Sequence, residues 1–294
     1  MANMANPKLN EAAILARFDS LVKEGIVFYN PDQRIITHKD QNNLTYEFRI
    51  TSALTHKPTP GQLPTPSRYA PGSDIDVTGF EISPITTTHL LAANKFSAAR
   101  PHLLLLTTDG HARQHAALDA ADWAAAHAAL SALTTPTGSQ GYMLFFNCGV
   151  AGGCSRLHKH MQIIPRPAPG GLWLDGMVAD GVPYVYFMER FRGQEGWLAP
   201  GGLEGVYRGL LGRAERALEA GGEGEVEEGR AVPHNVLLTR DWMAVIPRRK
   251  PGVRGANANA PAMLGMVWLA DEEVLGRWLG IGPSVVLADV GVPV

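Results

Sequence analysis

The sequence contains 294 residues, of which 45% are hydrophobic and 18% are charged, and its formal net charge is −2. A chain of this size can bury a complete core, and without an excess of basic residues it is not expected to bind a long nucleic acid, because a phosphate backbone attracts concentrated positive charge. Two cysteines are too few for a disulfide framework, no apolar run is long enough to cross a bilayer, and the first residues lack the basic and apolar regions of a signal peptide. We therefore expect a monomeric enzyme or binding protein of the cytoplasm, with the nucleus as a second compartment and with no membrane partner.

Hydrophobic spacing and turn residues predict helices mixed with paired strands. In the first half of the chain we predict a helix over 7–25, a proline-rich surface loop over 57–72, a strand over 103–107, an alanine-rich helix over about 115–133 and a strand over 142–146. In the second half we predict strands over 157–164 and 184–188, a helix over about 203–220 and a solvated connection over 220–230. A hairpin of 236–238 with 243–246 and a closing helix that starts within 262–270 complete the prediction. Strands that come in close pairs between helices favour an α+β fold with an antiparallel sheet and flanking helices. We expect a single unit over residues 1–294, with an N-terminal part of about 1–200 and a C-terminal part of about 201–294.

The segment His158-Lys159-His160-Met161-Gln162 is the strongest chemical signal in the sequence. On a strand, alternate side chains share a face, so the two histidines and the glutamine are expected on one face and the lysine and methionine on the other. A neutral imidazole is a good nucleophile, and a covalent adduct on it divides a group transfer into two steps. The pattern therefore predicts a nucleophilic histidine.

Directly upstream, residues 147–156 (NCGVAGGCSR) contain three glycines, followed by Ser155 and Arg156. Glycines let backbone N–H groups approach an anion closely, and a hydroxyl and a guanidinium add further donors. A nucleophile beside such a loop suits attack on phosphorus, because the donors stabilise charge on the equatorial oxygens.

Two other interpretations of this segment stay open. The histidines could be structural, as single histidines usually are. Alternatively, Cys148, Cys154, His158 and His160 could hold zinc, although no C-x-x-C pair is present and zinc would not account for the glycines.

The segment SRLHKHMQIIPRP resembles the histidine-triad (HIT-like) superfamily, in the branch where glutamine replaces the third histidine. Within that branch the sequence is similar to the fungal ATP adenylyltransferases, the diadenosine tetraphosphate phosphorylases. FNCGVAGGCSRLHKHMQ resembles the central signature of that family, HNVLLTRDWMAVIPRR resembles its C-terminal signature, and LTHKP and NKF with HLLLLT resemble two substrate-contact segments. The similar stretches run from about residue 26 to 270.

The resemblance implies a role for each matching residue. His160 matches the nucleophile, Gln162 the amide that steadies the α-phosphate, and His158 a residue that shapes the strand and helps to stabilise the leaving group. The implied substrate contacts are Lys57, Asn94, Lys95, Asn147, Gly153, Cys154, Ser155, Arg156, Gln162, Asn235, Thr239, Met243 and Arg248. The lysines could equally be ordinary surface residues, and Met243 could be plain core.

The implied reaction is the phosphorolysis of diadenosine tetraphosphate. His160 would attack the α-phosphorus and expel ATP, and inorganic phosphate would then take AMP from His160 and leave as ADP. The family also implies the reverse reaction and action on adenosine phosphosulfate. Because no carboxylate cluster is evident, a Mg or Mn ion would be held mainly by the substrate phosphates, and no protein metal site is expected.

Two residues depart from the family pattern, since Arg156 replaces a usual glutamine and His234 a usual tyrosine.

Two rival functions remain. A hydrolase of the same superfamily would pass AMP to water, but Gln162 cannot titrate as a third histidine would. A catalytically idle nucleotide-binding protein is disfavoured by the presence of His160.

Overall fold

The structure is a computed structural model that describes residues 9–56, 70–133, 141–167, 171–176, 181–191, 199–222 and 227–294. In these ranges the α-helices are α1 (Glu11–Lys23), α2 (Ala120–Ala132), α3 (Pro200–Ala220), α4 (Glu272–Ile281) and α5 (Pro283–Val290). The strands are β1 (Phe28–Tyr29), β2 (Arg34–Lys39), β3 (Thr45–Ile50), β4 (Glu81–Pro84), β5 (His89–Ala93), β6 (Phe96–Ser97), β7 (Leu103–Thr107), β8 (Tyr142–Cys148), β9 (His160–Pro165), β10 (Phe187–Arg190), β11 (His234–Leu238), β12 (Trp242–Pro247), β13 (Gly252–Val253), β14 (Ala256–Asn257) and β15 (Met266–Leu269). Short 3-10 helices lie at Ser52–His56, Trp173–Asp175 and Ala262–Leu264.

The first three predicted helices are confirmed, and local caps explain where two of them begin. The side chain of Asn10 accepts a hydrogen bond from the N–H of Ala13 and starts α1. Asp119 and Asp122 form a reciprocal capping box that starts α2, a few residues later than predicted.

The predicted closing helix over 262–270 is wrong. That stretch forms a short 3-10 helix followed by β15, and the helix α4 begins only after Asp271, whose side chain caps it. β15 pairs with β3, more than two hundred residues earlier in the chain. An apolar run this short can form either a helix or a strand, and the distant partner decided the outcome.

Eight strands form the main sheet, in the order β10-β12-β11-β8-β9-β7-β5-β4, and every neighbouring pair is antiparallel. This confirms the predicted α+β class and the hairpin of β11 and β12. Two strands of this sheet, β11 and β12, come from the predicted C-terminal part, so the sheet joins the two predicted parts. A separate three-stranded sheet has the order β15-β3-β2.

Side chains alternate between the two faces of the main sheet. We call the side of Met161, Phe146 and Val236 the helix face, because these residues share one core cluster with α2 and α3. We call the side of Ile164 and Phe145 the cleft face, because these residues share a second cluster with the three-stranded sheet, α4 and α5. By strand alternation His160 and Gln162 lie on the cleft face and Lys159 on the helix face, as the sequence predicted.

No helix within the described ranges has both the length and the apolar character that a membrane span requires.

Candidate active site

The imidazole of His160 is held in one orientation at the start of β9. Its Nδ1 lies 2.8 Å from the carbonyl oxygen of His158, and only 8% of the residue is exposed. Because a carbonyl only accepts hydrogen bonds, Nδ1 carries the proton and the lone pair is on Nε2. This tautomer makes Nε2 the nucleophilic atom.

His158 lies before β9, and its ring is completely buried. Its Nδ1 is 2.7 Å from the Ser73 hydroxyl and its Nε2 is 2.8 Å from the Thr107 hydroxyl. Burial holds the pKa of His158 below its usual value, although the nearby Asp74 carboxylate acts in the opposite direction. Both ring nitrogens are therefore occupied by the protein, which corrects the expectation that His158 stabilises the leaving group. Its contribution is the carbonyl that orients His160.

The carboxylate of Asp74 holds the backbone in front of β9. Its two oxygens accept hydrogen bonds from the N–H groups of Leu157 and His158, at 2.8 and 2.9 Å. No local pattern in the sequence points to Asp74, which lies in a loop more than eighty residues upstream. The predicted strand over 157–164 begins only at His160, because His158 bonds to Asp74 and forms an isolated β-bridge with Arg113 instead of continuing β9.

Gln162 is oriented by a histidine that sequence reasoning missed. Nε2 of His102 lies 2.9 Å from Oε1 of Gln162, and Nδ1 of His102 lies 3.4 Å from the backbone nitrogen of Ala98. The amide of Asn94 lies 3.2 Å from the same Nε2. Since Oε1 faces His102, the NH₂ group of Gln162 is the side that can donate to a phosphate. Strand alternation from β7 to His102 was the signal that could have found this residue.

The glycine-rich loop closes on itself after β8. The N–H groups of Gly153 and Cys154 donate to the carbonyls of Val150 and Gly149. Gly153 has a φ of +88°, and a Cβ there would lie 2.5 Å from the Ala258 carbonyl oxygen, so only glycine fits. The predicted phosphate contacts through the N–H groups of Gly153 and Cys154 are therefore not supported.

Ser155 and Arg156 follow that loop and are accessible. Ser155 is exposed and Arg156 is half-buried, directly between the loop and the histidine strand. Their role at the phosphates stays a prediction.

Asn147, Asn235 and Arg248 form a buried polar group beneath the loop. Oδ1 of Asn147 accepts from Nδ2 of Asn235 (3.0 Å) and from the N–H of Ala260 (2.8 Å). Asn235 also donates to the Gly152 carbonyl at 2.7 Å. The group ties the end of the sheet to the loop.

The guanidinium of Arg248 is fully engaged by the protein. Its donors reach Oδ1 of Asn235 and four backbone carbonyls, those of Val290, Gly152, Lys250 and Ala258. Burial lowers its pKa to about 9. All five N–H groups of the guanidinium have acceptors, so Arg248 supports the loop from below, which corrects its expected substrate contact.

Two further residues with predicted substrate contacts, Met243 and Thr239, are buried. Met243 is buried in the helix-face cluster, on the opposite side of the sheet from His160. Thr239 is buried in the turn between β11 and β12, where its hydroxyl accepts from the N–H groups of Asp241 and Trp242. Thr239 lies four residues along β11 from Asn235, about 13 Å from the loop end of the sheet.

The two predicted lysines have different outcomes. Lys95 is exposed next to Asn94, which keeps it close to the site, and its carbonyl accepts from the N–H of Phe28 at 2.8 Å. Lys57 lies outside the described residues, as does most of the predicted proline-rich loop.

A cleft of about 710 Å³ opens on the cleft face beyond Gln162. It lies between Ile164 and Arg166 at the end of β9 and the face of the three-stranded sheet that carries Glu47, Arg49 and Trp268. The Trp268 ring packs against the ring of His102, with centroids 5.3 Å apart. Trp268 thus connects the lining of the cleft to His102, which is bonded to Gln162.

Among the described residues, no group of three or more His, Cys, Asp and Glu side chains is arranged to hold a metal ion. Cys148 is buried, and burial raises the pKa of its thiol to about 12, which opposes the thiolate that zinc requires.

An antiparallel sheet with a His-x-His-x-Gln strand, an oriented imidazole and a glycine-rich loop defines a HIT-like nucleotidyltransferase. Comparisons with known proteins agree with this class. A model of the Ap4A phosphorylase N-terminal domain matches residues 33–172, and a model of the ATP adenylyltransferase C-terminal domain matches residues 180–293. The two matches together cover most of the sequence, and the chain belongs to the ATP adenylyltransferase (Ap4A phosphorylase) family.

Two relatives from Saccharomyces cerevisiae are similar in sequence. Protein APA1 is 23% identical over 93% of this chain and 91% of its own length, and diadenosine 5',5'''-P1,P4-tetraphosphate phosphorylase 2 is 27% identical over 63% of each chain. The crystal structure of yeast Ap4A phosphorylase Apa2 has the same fold, with a TM-score of 0.75, 22% identity and 99% coverage of both chains. The structure of that protein in complex with Ap4A matches with a TM-score of 0.74.

Proposed function

We propose that this protein is a diadenosine tetraphosphate phosphorylase that works through an AMP adduct on His160. The observation that carries the proposal is the hydrogen bond from Nδ1 of His160 to the His158 carbonyl, which places the lone pair of the ring on Nε2. Family membership supplies the substrate class.

In the first step Nε2 of His160 attacks the α-phosphorus of diadenosine tetraphosphate. The Nε2–P bond forms as the bond to the bridging oxygen of the β-phosphate breaks, so AMP stays on the histidine and ATP leaves. The imidazole gains positive charge, which the His158 carbonyl stabilises through Nδ1–H. The NH₂ group of Gln162 and the side chains of Ser155 and Arg156 donate to the non-bridging oxygens.

In the second step inorganic phosphate attacks the same phosphorus atom. Its oxygen forms a bond to phosphorus, the Nε2–P bond breaks, and ADP leaves while Nε2 recovers its lone pair. The adduct divides one displacement between two anions into two displacements, each with a good leaving group.

The cleft supports a nucleoside beside the phosphate position. Ile164 lies four residues along β9 from His160, a span of about 13 Å, which suits the length of an adenosine monophosphate. Trp268 offers an aromatic surface for a base, as is usual in nucleotide sites. We place the nucleoside of the transferred AMP in this cleft.

We further propose that a Mg or Mn ion accompanies the polyphosphate, held mainly by phosphate oxygens, because the described residues present no carboxylate cluster beside the loop. Such an ion would neutralise part of the phosphate charge. We also propose that the protein acts as a monomer. Cys148 and Cys154 form no disulfide, which supports the cytoplasm or nucleus as the compartment.

The test is adduct formation with diadenosine tetraphosphate in phosphate-free buffer. Intact mass measurement should find one acid-labile AMP per chain and released ATP, and added phosphate should convert the adduct to ADP. His160→Asn should remove the adduct and lower turnover by at least about a thousandfold. The control Met161→Leu, on the opposite face, should form the adduct normally. Equal turnover with and without phosphate, giving ATP and AMP, would instead establish a hydrolase.

A further inference from the structure

Gln114 lies in the loop between β7 and α2, outside every motif that the sequence suggested. Its side chain is buried between β8 and β9, where those two strands stop pairing. The pairing of β8 with β9 ends at Phe145 and Gln162. The next residues on the cleft face, Asn147 and His160, are bridged by the Gln114 amide instead.

The amide of Gln114 makes three hydrogen bonds to this gap. Oε1 accepts from the N–H of His160 at 2.7 Å, and Nε2 donates to the carbonyls of His160 and Asn147, both at 3.0 Å. The side chain thus takes the place of a strand segment and satisfies backbone groups that burial would otherwise leave without partners.

The backbone of Gln114 is connected to the same region. Its N–H donates to the Leu157 carbonyl at 2.8 Å, and its carbonyl accepts from the N–H of Gly149 at 3.1 Å. Gly149 is the first glycine of the glycine-rich loop, and Leu157 directly precedes the segment with the two histidines. One residue therefore links the backbone of the nucleophile directly to both ends of the loop segment.

We propose that Gln114 is a positioning residue that fixes His160 relative to the glycine-rich loop. This inference rests on the proposed function, because it requires that His160 attacks a phosphorus atom held at that loop. Both backbone groups of His160 are held by the amide, and its ring is held by the His158 carbonyl, so the position of Nε2 depends on Gln114. In-line attack loses about a hundredfold in rate for a misplacement of about 1 Å.

Two variants separate the amide's hydrogen bonds from its volume. Gln114→Met keeps the size and removes every side-chain hydrogen bond. Gln114→Glu keeps the acceptor for the N–H of His160 but turns an oxygen toward the two carbonyls. A protonated glutamic acid recovers one of those donors, so the defect of Gln114→Glu should shrink as pH falls, whereas that of Gln114→Met should not.

The readout is the single-turnover rate of AMP transfer to His160 from saturating diadenosine tetraphosphate, together with the Kd for AMP by calorimetry. Gln114→Met should lower the transfer rate about a hundredfold, while the Kd changes by less than about threefold. Ser284→Ala is the matched control, because it removes a buried hydroxyl bonded to Tyr46 and Asp40, far from the loop. It should lower Tm without changing the transfer rate.

The outcomes separate this inference from the proposed function. A wild-type protein that forms no adduct would overturn both. Normal adduct formation in the wild type together with an unchanged rate in Gln114→Met would overturn the inference alone, as would a loss that lies entirely in Kd. If Gln114→Met does not fold, the pH dependence of Gln114→Glu decides: a defect that stays constant between pH 8 and 5.5 contradicts the positioning role.

Discussion

Polar side chains have different roles on the two faces of the main sheet. On the helix face the ammonium of Lys159 is buried, with hydrogen bonds to the Asp122 carboxylate and the Ala117 carbonyl (2.8 Å for the latter). Asp122 in turn lies 3.0 Å from Nε2 of His89. On the cleft face the polar groups of His160 and Gln162 are oriented by hydrogen bonds to the His158 carbonyl and to His102.

This contrast shows how one five-residue segment supports both stability and chemistry. The strand alternates, so Lys159 anchors the segment to α2 while its neighbours carry the reaction. Burial by itself raises the pKa of the Asp122 carboxyl, but the hydrogen bond from His89 and the charge of Lys159 outweigh burial and leave that pKa below its usual value. The Asp122 carboxylate is therefore ionised, and its role is structural. Changes on the helix face should alter stability, and changes on the cleft face should alter kinetics.

The largest expected effect on stability is that of Asp122→Ala. It leaves the buried ammonium of Lys159 without its counter-charge, and breaking such a pair costs about 3–5 kcal/mol. Urea unfolding at pH 7 measures the free energy of unfolding. Asp119→Ala is the control, since that carboxylate is 3.8 Å from Nζ of Lys159 and mostly exposed, and it should cost about 1 kcal/mol through the helix cap.

Adduct formation should survive in Asp122→Ala at temperatures where the protein stays folded. Loss of adduct formation without loss of stability would break the distinction between the two faces.

A second effect is a pH dependence of stability that originates at His234, on the helix face. Its Nδ1–H donates to the Val232 carbonyl and its Nε2 lies 3.0 Å from the Tyr207 hydroxyl. Burial lowers its pKa to about 4, from an ordinary value of about 6.5. The folded state disfavours the proton, so this contribution is complete above about pH 6.5 and is lost as pH falls toward 4, by about 3 kcal/mol.

The variant His234→Phe removes the titrating group. The free energy of unfolding, measured by urea between pH 7.5 and 4.5, should fall less steeply with decreasing pH than in the wild type. His158, whose pKa is also lowered, should retain a smaller slope in the same direction. Identical slopes in both proteins would show that His234 does not titrate in this range.

The smallest effect belongs to the cleft face, at Arg156. In our proposal its guanidinium donates to the polyphosphate, and loss of such a charge-assisted contact costs about 1.5–3 kcal/mol, or about ten- to a hundredfold in kcat/KM. Arg156→Gln, which restores the usual residue of the family, should raise KM and make it less sensitive to salt, with Tm unchanged. Steady-state kinetics at two salt concentrations measure both.

Met243→Leu is the matched control for Arg156→Gln on the opposite face. Because the structure places Met243 in the helix-face core, a swap of similar volume should cost less than about 1.5 kcal/mol of stability and leave KM unchanged. A raised KM in Met243→Leu would return that residue to the substrate site. An unchanged KM and salt dependence in Arg156→Gln would place its side chain in solvent.

The sequence by itself determined the elements whose cause is local. Alternation assigned Lys159 and His160 to opposite faces, and helical spacing located α1. The glycines of 149–153 indicated a loop, and in the structure Gly153 has no room for a Cβ. The motif also identified the nucleophile candidate, because residue types and spacing on one strand are sufficient to align side chains.

Only the tertiary structure decided which polar residues surround that strand. Gln114, His102 and Asp74 reach the site from separate loops and strand ends, and no local pattern distinguishes them from surface residues. Likewise, Arg248 and Met243 match the family pattern in sequence, but packing buries Arg248 beneath the loop and Met243 on the helix face. The physical reason is that hydrogen-bond partners and strand neighbours are set by register between segments far apart in the chain, which a one-dimensional pattern does not contain.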